Sequence, residues 1–139
     1  MFKHIVIAND GSQGGRKALE LACDLAKHHS ATLHMISVEE LPDFPASIDE
    51  VVETKEAENH KFREVLELAR KFARTKGVKL NAEVVAGHAA ASIVERVKAL
   101  QADLLVVGFM GHSALYERII GDTTDRLVRL APCPVLVVK

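Results

Sequence analysis

Apolar positions follow two different periods along this chain, and each change of period marks an element. Ile5-Val6-Ile7-Ala8 is a short apolar run closed by the turn cluster Asn9-Asp10-Gly11-Ser12, which predicts a strand and then a loop. Ala18, Ala22, Leu25 and His29 then recur at helical spacing, with Leu21 and Ala26 beside them. The spacing predicts an amphipathic helix over Gln13 to His29, with Ser12 as its N-cap. Thr32 to Val38 is a second apolar run and a second strand, and Glu39 to Ile48, with Pro42 and Pro45, reads as a loop.

From about Asp49 to Lys76, Phe62, Val65, Leu66, Ala69, Phe72 and Ala73 form one apolar stripe of a long helix. Asp49, Glu50, Glu53, Glu56 and Glu58 load its start and Arg70, Lys71, Arg74 and Lys76 its end, as the helix dipole favours. Gly77 is the expected stop. Val78 to Val84 alternates, as a strand does with one wet face or at a sheet edge. Ala90 to Ala99 places Ile93, Val94 and Val97 at helical spacing. Leu104-Leu105-Val106-Val107 is continuously apolar, like a strand covered on both faces. Thr123 to Leu130 predicts a last helix, Ala131-Pro132-Cys133-Pro134 breaks it, and Val135-Leu136-Val137-Val138 is a fifth strand.

The order is β-α-β-α-β-α-β-α-β, an α/β protein with a parallel sheet and helices on both faces. Ligands of such open sheets sit beyond the carboxyl ends of the strands, where the strand order reverses, so the loops after the first and fourth strands are where chemistry is expected.

Composition narrows this picture. A chain of 139 residues fits one domain, 1–139, and 48% apolar residues can build a real core. Against 19 Asp and Glu, 18 Lys and Arg leave a net charge of −1, which offers no footprint for nucleic acid or an anionic membrane. No apolar run approaches the roughly 20 residues that span a bilayer, and the first residues do not read as a signal peptide. Cys23 and Cys133 form no disulfide framework, so a reduced, cytoplasmic setting is expected.

The loop after the fourth strand carries Gly108, Gly111 and Gly121, with Thr123 and Thr124 behind them. Glycines permit close backbone approach, and a helix start favours an anion, so this series suits a phosphate. Read one at a time, the same glycines could simply shape turns. Asp10 could accept from a ribose hydroxyl or a base amino group, or could serve a local turn. The run from Gly11 to Lys17 lacks Walker A spacing, and G-x-G-x-x-G is absent. His28 and His29 point in different directions, His34 reads as core or edge, and neither C-x-x-C nor H-x-x-x-H occurs, so no metal site is expected. No serine lies in G-x-S-x-G, and no catalytic constellation is apparent.

These residues resemble the universal stress protein family over nearly the whole chain. Gly108-x2-Gly111-x9-Gly121 matches the glycine series of its nucleotide-binding members, and Ala131-Pro132-Cys133-Pro134-Val135-Leu136-Val137-Val138 matches its tail. Asp10 and Val38 fall at family positions that hold adenosine. The resemblance implies an open, Rossmann-like five-stranded parallel sheet in order 3-2-1-4-5, cytoplasmic homodimers, and ATP or AMP binding in one branch, with Mg²⁺ if a triphosphate binds. The pattern is broken where Asp122 stands for Ser or Thr and where Met110 replaces a basic residue.

Three readings follow. The first is a non-catalytic adenine-nucleotide-binding protein of the stress response. Gly108, Gly111, Gly121, Thr123 and Thr124 hold its phosphates, and Asp10 and Val38 its adenosine. The second is a dimeric interaction protein without a physiological nucleotide, in which Asp122, read as an N-cap, fills the site with its carboxylate. The third, an enzyme such as an adenylyl transferase, needs an H-I-G-H or S-G-G-x-D-S string, and neither occurs. The apolar, uncharged strand from Pro134 to Val138 is the expected homodimer edge, since an uncovered edge of this kind invites pairing.

Overall fold

A computed structural model describes residues 1–40, 48–109 and 120–139, with side chains of 48–58 left aside. The elements are β1 (His4–Ala8), α1 (Gln13–His29), β2 (Thr32–Glu39), α2 (Ile48–Thr75), β3 (Leu80–Ala86), α3 (Ala89–Ala99), β4 (Leu104–Gly108), α4 (Asp122–Leu130) and β5 (Val135–Val138). The five strands form one sheet in order β3-β2-β1-β4-β5. Every neighbouring pair is parallel, with Ile5 opposite Leu33 and Leu104, and Val107 opposite Val137. The expected topology is therefore the observed one.

Both faces of the sheet are covered, which explains the unbroken apolar runs of the inner strands. Ile5, Ile7, Leu33, Met35, Leu104 and Val106 pack beneath Ala18, Ala22 and Cys23 of α1 and Ala69 and Ala73 of α2. On the opposite face Val6, Ile36, Leu105 and Val107 pack against Ile93 and Val97 of α3 and Leu127 of α4. Neighbours in sequence thus serve opposite cores, as the two-residue period of a strand requires. The small residues of α1 let it lie close to the sheet.

Element ends account for the shifts from expectation. Ser12 accepts from Gly15 N–H at 3.1 Å and caps α1 as predicted. At the end of α2, Gly77 (φ 71°) donates to Arg74 C=O at 3.1 Å and Val78 to Ala73 C=O at 2.9 Å. This Schellman closure uses the Val78 backbone for the helix end. The third strand therefore starts at Leu80 rather than Val78 and runs on to Ala86. β3 lies at one edge and β5 at the other. The predicted loop from Glu39 to Ile48 falls mostly outside the described residues, although Glu39 belongs to β2 and Ile48 opens α2.

Candidate functional site

The strand order reverses between β1 and β4, and their carboxyl ends open into a cleft of about 300 Å³. That volume stands at the lower end of the range, roughly 300–1,000 Å³, for small-molecule sites. Asp10, Val38, Gly108, Gly121, Thr123 and Thr124 all line it. Six of the seven residues singled out from sequence thus converge in one cavity; the seventh, Gly111, lies outside the described residues, as does Met110.

Asn9 builds the β1 wall. It is 4% exposed, so each of its polar groups needs a partner. Its N–H donates to Ile36 C=O at 3.0 Å, its C=O accepts from the Ser37 hydroxyl at 2.6 Å, and its Oδ1 accepts from Gly11 N–H at 2.9 Å. The Nδ2 group lies 3.5 Å from Met35 Sδ. Asp10 Oδ1 accepts from Ser12 N–H at 2.9 Å. Asp10 therefore shapes the turn, one of the two uses considered from sequence, and it also lines the cleft. Gly11 takes φ 83°, a conformation that favours glycine.

Gly108 has a more specific duty than shaping a turn. A Cβ placed there would lie 2.7 Å from the carbonyl carbon of Gly14 and 2.8 Å from its oxygen. The first turn of α1 thus rests directly on the end of β4, and only glycine leaves room for it.

The α4 wall differs from the sequence reading at two residues. The N-cap is Gly121 and not Asp122, and a glycine has no side chain with which to cap the helix. Asp122 is the first helical residue. Its carboxylate is 78% exposed and lies 3.6 Å from Arg126 Nε, one turn further on. An acidic group in the first turn is favoured by the helix dipole, and the i,i+4 Arg126 lies within ion-pair reach of it. The expectation that Asp122 is the N-cap is thereby corrected, although the residue does line the cleft. Thr124, 6% exposed, donates its hydroxyl hydrogen to Gly108 C=O at 2.7 Å. That hydrogen is committed to the strand, so Thr124 fixes α4 against β4 and would offer a phosphate only its backbone N–H. Gly121 N–H is likewise committed, to Phe109 C=O at 2.9 Å. The first intrahelical bond runs from Asp125 N–H to Gly121 C=O at 2.9 Å. The N–H groups of Asp122, Thr123 and Thr124 lie ahead of it, at the positive end of the helix.

Sequence reasoning missed the third wall. Lys61 and Phe62 of α2, with Ile93 of α3 and Glu40 past β2, also line the cleft. Phe62 was legible as part of the apolar stripe, but nothing local to the sequence says that this turn of α2 leans over the switch point. Lys61 is the one cation among the described lining residues. Its Nζ stands 5.3 Å from the Phe62 ring centroid, within cation–π range. The two thiols lie away from the cleft. Burial and the neighbouring Asp24 push Cys23 up to about 11, against a smaller opposing effect of Lys76. Burial, with Asp103, also raises Cys133. Neither favours the reactive thiolate. Among the described residues no helix is long and apolar enough to cross a membrane.

Comparison with known proteins agrees with this architecture. The sequence model of the universal stress protein family matches residues 1–139, and the chain belongs to that family. A universal stress protein of Methanocaldococcus jannaschii is 35% identical over 144 residues, covering 100% of this chain and 83% of the relative. Among solved structures, UspA from Lactobacillus plantarum superposes with a TM-score of 0.90 at 26% identity, over 99% of this chain and 97% of that one. A universal stress protein in complex with cAMP gives a TM-score of 0.78 at 24% identity, over 99% and 97%. One from Archaeoglobus fulgidus in complex with dAMP gives 0.70 at 18%, over 100% and 98%.

Proposed function

We propose that this chain is a non-catalytic, adenine-nucleotide-binding protein of the stress response, acting in the cytoplasm as a homodimer. The observation that carries the reading is the convergence of Asp10, Val38, Gly108, Gly121, Thr123 and Thr124 on one cleft at the switch point. The cAMP and dAMP complexes of family members support adenine as the base. Asp10 and Val38 are suited to the adenosine, and the start of α4 to phosphate. The alternative of an interaction protein whose site Asp122 fills loses its support, since Asp122 is not the cap. For ATP the metal would have to be held largely by the phosphates. Among the described residues no group of three or more His, Cys, Asp or Glu side chains is placed to hold an ion.

The direct experiment is to denature the purified protein and identify what it releases. An adenine nucleotide near one per chain is expected; if the protein carries none and adenosine, AMP and ATP all fail to bind in titration, the reading is wrong. The dimer is assigned to β5, an edge strand without charge, whose side chains stay half-buried. Val137→Lys and Val137→Pro should each yield monomers at micromolar concentration by light scattering. Two variants as dimeric as the parent would move the interface elsewhere.

A further inference from the structure

The geometry points to Lys61 and Asp122 as the pair that sets how many phosphates the cleft accepts, with a nucleoside monophosphate preferred over a metal-free triphosphate. This rests on the adenine-nucleotide reading and adds ligand class to it. Among the described lining residues, Asp10, Glu40 and Asp122 face a single cation, Lys61, which leaves a formal charge of −2. Lys61 is held over the turn after β1. A Cβ built on Gly11 would lie 2.8 Å from Val65 Cγ2 and 3.9 Å from Lys61 Cε, so α2 presses its side chains onto that turn. Lys61 therefore stands on one wall of the cleft and Asp122 on another, at the first turn of α4.

The two charges act in opposite directions on an anionic ligand. Lys61, on the α2 wall, supplies the counter-charge for one phosphate in the cleft. Each further phosphate adds charge toward Asp122, whose compensation among the described residues is the exposed Arg126 at 3.6 Å. A unit charge about 6 Å from a carboxylate, at an effective dielectric between about 20 and 80, loses roughly three- to a hundredfold in affinity. A divalent cation travelling with the triphosphate would cancel much of that loss.

The test is calorimetric titration with adenosine, AMP and ATP, the last with and without Mg²⁺. The proteins compared are the parent, Lys61→Met and Asp122→Asn. Both side chains are exposed, and thermal unfolding will show each variant folded. The parent should bind AMP about tenfold more tightly than ATP without Mg²⁺ and more tightly than adenosine. Lys61→Met should erase the advantage of AMP over adenosine, read as the ratio of the two affinities in the variant against the same ratio in the parent. Asp122→Asn should narrow the gap between AMP and metal-free ATP severalfold. Tighter binding of metal-free ATP than of AMP by the parent overturns the inference, and an unchanged ratio in either variant removes that residue from it. If the parent binds adenosine, AMP and ATP not at all, the adenine reading itself fails, and this inference with it.

Discussion

The two walls of the cleft treat their backbone hydrogen bonds in opposite ways. On the β1 side, Asn9, Asp10 and Ser12 bind the N–H groups of Gly11, Ser12 and Gly15, so that loop is already satisfied by its own side chains. On the α4 side the N-cap is a glycine, and among the described residues no side chain caps the three N–H groups that precede its first intrahelical bond. One wall is therefore largely finished, tied by its own side chains, while the other, among the described residues, presents helix-start donors to the cleft. Under the proposed function this contrast would divide the labour of a binding site: the finished wall would supply shape, and the uncapped wall charge at low reorganisation cost.

The largest break in this arrangement should come where the walls meet. Gly108→Val drives a side chain into the backbone of Gly14, and overpacking of that kind should cost about 3 kcal/mol. Urea denaturation will read this as a lower midpoint, and a variant as stable as the parent would mean that α1 does not rest on β4. Next is Asn9→Ala in the finished wall. It orphans Gly11 N–H and removes the contact with Met35 Sδ in β2, at about 2 kcal/mol by the same measurement. Its binding should suffer less than its stability, because the donors of α4 are untouched.

Thr124→Val inverts that ratio. Losing the hydroxyl bond to Gly108 should cost only about 1 kcal/mol of stability. It also frees the start of α4 to shift, so AMP affinity should fall by more than that cost alone explains. An unaltered affinity would show that Thr124 does not position the helix start.

The smallest effect belongs to His34, which is not among the residues lining the cleft. Burial lowers the pKa of His34 in β2 below the ordinary 6.5, helped by His4 and Arg96 and opposed by Glu83. The unfolded chain then binds more protons than the native one as pH falls below about 6.5. Stability is fully present above that value and is lost toward acid. Replacing His34 with Gln should flatten this part of the stability–pH curve, and identical curves would remove His34 as its source.

Most of the scaffold was legible because each element states its own period and its own stop. Ser12 before the apolar face of α1 and Gly77 after α2 are local signals, and both act as read. The cleft was legible as a place, because topology puts the loops after β1 and β4 together. What escaped is set by tertiary packing. The need for glycine at position 108 comes from Gly14, distant in sequence, and Lys61 belongs to the site only because α2 crosses the switch point. At Asp122, residue type favoured a cap, but the backbone starts the helix one residue earlier and Gly121 takes that place.

The central claim is that one adenine nucleotide bridges the finished and the uncapped walls. The most direct measurement is an amide NMR titration with AMP. The account predicts saturable shifts at Asp10 and Val38 together with Asp122, Thr123 and Thr124, all with one dissociation constant. Shifts confined to one wall, or scattered outside the cleft, would contradict it.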